Sequence, residues 1–222
     1  MSRPISLVFA ALVGLGNPVL AQTLAPPAAP GTAQYNAWLG QWLGRIQETA
    51  DRDAIRSLMY HYGRGNDELS AHFANKPEGM RRAGAEYARA FAPDMQITVY
   101  PLRSGTPLRQ VRGIPAWIEF AGGFFDQAGY SSTLHLMSNF DIRFTDSDNA
   151  RGSAYAHVPH YIRSAARDAG TMGVALESML ARYEFAARRQ TDGSWRIVDM
   201  TIHLDEIQRS NGFYPNGQAN GG

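Results

Sequence analysis

The apolar residues of this chain change their period part-way along, and that change limits the fold more than any other feature. In the first half Ile55, Leu58, Met59 and Tyr62 recur at i, i+3, i+4 and i+7, which sets them on one face of a helix. Trp38, Trp42, Leu43 and Ile46 keep helical spacing ahead of them, and Asp51 between the two runs reads as an N-cap. Gly63 and Gly65 loosen the helix, so the phase at Asp67 is not read by counting turns. Helical character continues over 70–92 and stops at Pro93. MQITVY (95–100) is a strand candidate, and Gly113 to Phe125 reads as another helix. From Ser132 the pattern is that of strands: STLHLMSNFDIRF, the turn TDSDN, ARGSAYAHVPHYI, a Gly-containing loop at 163–173, LESMLARYEFAARR, the turn TDG, and SWRIVDMTIHLDE. Helices followed by a meander predict an α+β fold, with N-terminal helices packed against a strongly curved antiparallel sheet. Such a sheet closing over a helix leaves a cone.

The two ends read differently. MSRPISLVFAALVGLGNPVLAQ has the parts of a secretory signal: Arg3, an apolar run from Ile5 to Leu15, and Val19-Leu20-Ala21 before a cut. The run is shorter than the roughly 18 to 20 residues a membrane span needs. The expectation is a cleaved signal at 1–21 and export to a periplasm, with no stable membrane insertion. Residues 22–34 are a Pro/Ala-rich flexible lead, 35–211 form one domain, and 212–222 are a disordered tail. Removing Arg3 takes the 21 basic residues to 20, against 20 acidic ones. That balance argues against nucleic acid as a partner. The chain has no cysteine, which excludes disulfides and thiolate metal sites.

Within the cone, a carboxylate and an imidazole are available for chemistry. Asp67 closes the segment IRSLMYHYGRGND, and His135 opens HLMSNFDIRF. If they meet, Asp67 holds one ring nitrogen of His135 and the other removes a proton. Met59, Tyr62, Trp117, Phe120, Phe124 and Met137 supply apolar and aromatic lining, with His160 as a further polar group. Each has a bland counterpart. Asp67 after two glycines is commonly a loop or capping residue, a single histidine is commonly structural, and Tyr62 on an apolar face is commonly core. His157 and His160 invite a metal, but strand alternation sends their rings to opposite faces. His61, Arg81-Arg82 and Arg188-Arg189 read as solvated.

The run DRDAIRSLMYHYGRGND, the segment ARAFAPDMQITVY, the HLMSN strand and the closing RYEFAARRQTDGSWRIVDMTI resemble the SnoaL-like branch of the nuclear-transport-factor-two-like superfamily. The scytalone dehydratase type, with bile acid 7α-dehydratase and hexachlorocyclohexane dehydrochlorinase, is the nearest likeness. The resemblance covers most of 48–205. It implies a cone-shaped half-barrel, a site without cofactor or metal, and a homotrimer or homodimer. It also implies that Asp67 and His135 form the dyad, with Tyr62 at a Tyr/Lys position, Asn139 four residues after His135, and His160 as a second histidine. The Arg that some members carry in the final strand near Met200 is absent, and His203 lies nearby.

The function expected is a lyase performing dehydration, dehalogenation or retro-aldol cleavage on a small apolar, aromatic or polycyclic molecule. Met59, Trp117, Phe120, Phe124, Met137 and Asn139 would bind it. An isomerase, cyclase or epoxide hydrolase on the same dyad is one alternative. A non-catalytic periplasmic binding module is another. The apolar strand residues Leu134, Leu136, Phe140 and Ile142 suggest that an outer sheet face is covered by a helix or a neighbour.

Overall fold

In a computed structural model, the described residues are 26, 28–101, 104–162 and 175–210. The expected signal, the loop at 163–173 and the tail at 212–222 lie outside them. The elements are α1 (Ala33–Ala71), α2 (Lys76–Ala90), β1 (Phe91–Tyr100), β2 (Arg109–Arg112), α3 (Ile114–Gln127), β3 (Tyr130–Thr133), β4 (Leu136–Phe144), β5 (Asn149–Ile162), β6 (Ala175–Arg189) and β7 (Trp195–Ser210). Compact units divide between Ala50 and Asp51. In the first, Thr32 caps the helix through a 3.2 Å bond from the Tyr35 N–H, and Leu43 and Ile46 are exposed.

The second unit is three helices with a strongly curled mixed sheet that forms a half-barrel. Strand order is β2-β1-β7-β6-β5-β3, with β4 also paired to β5. The sheet is not wholly antiparallel as expected: β1 runs parallel to β7, from Phe91 opposite Ile197 to Tyr100 opposite His203. Strand β2 and helix α3 lie between β1 and the meander, and the chain returns so that its first and last long strands run the same way. The β6–β7 ladder slips at Leu180/Ala181 and again at Ala186/Ala187. Such bulges bend a strand and raise its twist, which curls the sheet over the helices. Ile55, Met59, Tyr87, Met95, Ile97, Ile197 and Met200 fill the space beneath it, each essentially inaccessible.

Several features depart from the local reading of the sequence. Helix α1 is one helix and not two pieces. Asp51 is therefore no N-cap: its carboxylate is buried and accepts from Arg189 at 2.6 and 3.0 Å and from the Trp195 indole at 2.9 Å. Arg189 is accordingly paired and not freely solvated. His61 is half-buried and bonds Glu86 at 2.6 Å, again against the expectation of a solvated ring. In β4 the register shifts between Ser138 and Asp141, where Asn139 takes a positive φ of 53°. Asparagine tolerates that left-handed region better than most residues. The shift reverses the strand's inside–outside alternation. Leu134 and Leu136 face out, whereas Ile142 is buried and Phe140 half-buried against Tyr60.

Candidate active site

The site is built where α1 passes the break between β3 and β4. Thr133 lies opposite His160 and Leu136 opposite His157, so the two short strands keep one register along β5. Pro159 occupies β5 at the interruption. It accepts from the Leu134 N–H at 3.2 Å but has no N–H to return. The ladder lapses there for two residues, and the second of them is His135.

Helix α1 meets this break with one face. Because the helix is continuous, Gly63, Asp67 and Ser70 stand at i, i+4 and i+7. A Cβ on Gly63 would lie 2.9 Å from the Cβ of His135, so the glycine is what lets helix and histidine approach. One turn on, Asp67 Oδ1 is 2.7 Å from His135 Nδ1. The same oxygen accepts the Thr133 hydroxyl at 2.8 Å, and Oδ2 accepts the His135 backbone N–H at 3.2 Å. Ser70 Oγ accepts the Thr133 N–H at 2.9 Å and donates to the Asp67 carbonyl at 2.9 Å. An ionised carboxylate only accepts, so the proton of a neutral His135 sits on Nδ1 and Nε2 carries the lone pair. The His135 side chain is 6% exposed and that of Asp67 26%. The carboxylate therefore braces the ring from behind, nearer to solvent.

His135 lines a largely apolar cavity together with Tyr62 and Asn66 from α1 and Trp117, Phe120 and Phe124 from α3. Val158 and His160 of β5, Met179 and Tyr183 of β6, and Ile202 and Leu204 of β7 complete the sheet wall. Tyr62 is surrounded by rings, with centroids of Tyr183 at 5.4 Å, Phe91 at 5.9 Å, and Trp117 and His135 at 6.0 Å. Burial pushes the Tyr62 phenol well above its usual range, assisted by the neighbouring Tyr183 and Tyr87. Burial likewise raises Tyr183 to about 12. Both hydroxyls therefore stay protonated near neutrality and act as hydrogen-bond donors.

His160 is 2% exposed, with the Tyr130 ring 4.3 Å away centroid to centroid. Burial, then the nearby His135, lowers its pKa to about 4. Its ring is neutral near pH 7, so it can offer an N–H or a lone pair but is not a resting imidazolium acid. The opposed residue Glu177 is buried with it and accepts the Tyr130 hydroxyl. His157 lies on the other face, bonded to Ser178 at 2.5 Å.

Of the residues anticipated, Asp67, His135, Tyr62, His160, Trp117, Phe120 and Phe124 meet in or directly behind this cavity. Met59 is packed in the core one helical turn before Tyr62 and does not line it. Met137 and Asn139 also lie off its wall: Met137 is half-buried beneath α1, and Asn139 sits exposed in the bulge. His203 stacks on Tyr100 at 5.1 Å, on the side opposite the inward Ile202 and Leu204. Sequence reasoning missed Asn66, Thr133, Ser70 and Tyr183. Two signals were available: Asn66 follows Tyr62 by four residues on the same helix, and Thr133 precedes His135 by two on the same strand path. Among the described residues no group of three or more His, Asp or Glu side chains is arranged to hold a metal ion.

Comparison with known proteins agrees with this architecture. The SnoaL-like domain family matches residues 47–201. The hexachlorocyclohexane dehydrochlorinase LinA-type3 from Novosphingobium barchaimii superposes with a TM-score of 0.56 at 16% identity, over 77% of this chain and 97% of that one. A scytalone dehydratase-like protein from Novosphingobium aromaticivorans gives 0.52 at 16% identity, over 79% and 99%. A nuclear transport factor 2-like protein from Salmonella enterica gives 0.50 at 13% identity, over 72% and 94%. No curated protein matches the sequence. With most of its length matched and a curled half-barrel shared with these structures, the chain belongs to the SnoaL-like domain family.

Proposed function

We propose that this protein is a cofactor-independent lyase in which Asp67 and His135 act as a general-base dyad on a small apolar, aromatic or polycyclic substrate. The observation that carries the reading is the 2.7 Å bond between Asp67 Oδ1 and His135 Nδ1 at the wall of an aromatic cavity. The Nε2 lone pair takes a proton from a substrate carbon. The C–H electron pair forms the new double bond, and a group on the adjacent carbon leaves with its own pair. Asp67 stabilises the imidazolium that results, a contribution that grows where water is excluded. Tyr62, kept as a phenol by burial, donates to a substrate oxygen. His160 contributes a hydrogen bond to the departing group, and the proton gained by His135 neutralises that group.

The dehydrochlorinase and dehydratase-like neighbours favour elimination over other uses of the scaffold. At 16% identity they speak for the fold, and the chemistry rests on the dyad. The same proposal takes the protein as exported and as a homo-oligomer.

The test pairs wild type with His135→Ala on a panel of aromatic diols, aryl halides and diarylpropane compounds. Ultraviolet absorbance follows a new conjugated double bond, and mass spectrometry identifies the lost water or halide. The expected loss on substitution is about 10²- to 10⁴-fold. A product of unchanged mass would indicate an isomerase. Undiminished turnover by the variant would remove His135 as the base.

A further inference from the structure

Phe125 stands between two cavities. On one side it lines the cone cavity with His135. On the other it closes a second hollow, where the end of α1 and the start of α2 meet α3 and β3. Leu69, Phe73, Phe125 and Tyr130 give this hollow an apolar floor, and the exposed ion pair of Lys76 and Asp126, 2.8 Å apart, stands at its rim. The cone cavity has a volume of 70 Å³ and the hollow one of 190 Å³. A dry cavity of about 150 Å³ holds a single benzene ring, so the cone cavity alone is tight for one ring. Joined, the two come close to the roughly 300 Å³ at which small-molecule sites begin. Two glycines keep the hollow open. Gly122 and Gly123 lie in the interior of α3, where glycine is a poorer helix former than alanine. Neither serves a close approach: a Cβ on Gly122 would meet only Leu69 Cδ2, at an ordinary 3.9 Å, and one on Gly123 would meet nothing within 4 Å. Both line the hollow, so what the missing side chains provide is space.

We propose that this hollow is a second binding subsite, joined to the cone cavity by rotation of Phe125 about χ1, and that the ligand is an elongated two-ring molecule with one ring in each. The proposal rests on the cone cavity holding the reacting part of the substrate and adds what holds the rest. The partition is thin. The Phe125 ring lies 6.4 Å from the His160 ring and 6.0 Å from the Tyr130 ring, centroid to centroid. Tyr130 in turn faces the hollow and packs on His160, so the hollow ends against a residue of the cone cavity's own wall. A phenyl ring changes rotamer without moving the helix that carries it. Polar groups around the hollow are already committed: Ser70 to Asp67 and Thr133, and Lys76 to Asp126. The subsite therefore contributes affinity and selection by length, and no reacting group. A second ring placed there leaves water for an apolar floor, which strengthens binding by about tenfold or more.

Methionine methyl groups report on the two cavities separately, because Met179 lines the cone cavity and Met80 the hollow. The full chain is labelled with ¹³C at its methionine methyls, the two signals are assigned by Met80→Leu and Met179→Leu, and phenol or 4-benzylphenol is titrated in. Ring currents of 4-benzylphenol should shift both signals, and those of phenol the Met179 signal alone. 4-Benzylphenol should bind about tenfold or more tightly than phenol. Gly122→Leu, which fills the hollow, should remove that advantage and leave phenol affinity unchanged, while Gly122→Ala should behave as wild type. Equal wild-type affinity for the two probes, or a 4-benzylphenol complex in which only one of the two methyls moves, would overturn the proposal even if Gly122→Leu fails to fold. Shifts of both methyls together with full turnover by His135→Ala would leave the subsite standing and remove the base reading.

Discussion

Two residues beside the dyad make testable claims. Thr133 donates to the same carboxylate oxygen that holds the His135 ring. A hydrogen bond to a charged group contributes about 1.5–3 kcal/mol, or roughly one to two powers of ten in rate if it is all expressed in the transition state. Thr133→Val should therefore lower kcat about tenfold or more with little change in KM, and Thr133→Ser should recover most of it. Steady-state kinetics of the two variants decide this. The second claim concerns His160. Its folded pKa of about 4 lies below the ordinary 6.5, so between those values the unfolded chain binds more protons. Stability is then full above the ordinary value and lost as pH falls toward 4. The lowering corresponds to about 3 kcal/mol. Denaturant unfolding across pH 7 to 4.5 should show that slope in wild type, and His160→Gln should flatten it. Parallel slopes in the two proteins would mean that His160 is not buried neutral.

At the scale of elements, the two glycines of α1 have different tasks. A Cβ on Gly65 would sit 2.3 Å from the buried Tyr87 ring, whereas one on Gly63 would meet His135 at 2.9 Å. Overpacking a core costs about 1–3 kcal/mol, and Gly to Ala in a helix returns about 1 kcal/mol. Gly65→Ala should thus lose more stability, having a fully buried ring to displace, and Gly63→Ala should lose more activity. Thermal melts and turnover of both variants check the crossed order. These glycines also mark where local reasoning fell short. Read as helix-looseners, they hid the phase that puts Asp67, Asn66 and Tyr62 at the cavity. A glycine needed for close approach looks the same in sequence as one that ends a helix. The succession of helices and strands was legible because period is a local property, whereas the pairing of Asp67 with His135 was what the family resemblance implied. The parallel β1–β7 pair, the bulge at Asn139 and the partner of Asp51 depend on segments 100 residues or more apart, or on a ladder shift, and no local period carries them. Met137 and Asn139 were misplaced for the same reason.

For the molecule as a whole, every residue of the dyad and cavity lies in the unit that begins at Asp51. A chain that starts there should melt cooperatively, measured by calorimetry. Loss of folding would show that the preceding unit is needed for it. Outside the sheet, Leu134, Leu136, Tyr155 and Leu180 are each 45–55% exposed, and Leu136, His157 and Leu180 are successive partners across β4, β5 and β6. Four large apolar side chains exposed on one side of a sheet suit a surface that meets another chain. Sedimentation velocity should show wild type larger than its monomer mass, and Leu136→Glu with Leu180→Glu should return it to one chain without lowering the melting temperature.

The cavity divides its labour between elements in a way that matters for redesign. Helix α3 contributes Trp117, Phe120, Ala121, Phe124 and Phe125 to the wall, none of them titratable, while the dyad and its bracing hydroxyls come from α1 and the β3–β4 break. A library confined to those five positions would vary the shape of the accepted molecule while leaving the reacting atoms where they are. One short stretch of the gene is therefore the natural cassette for changing which molecule the cavity accepts.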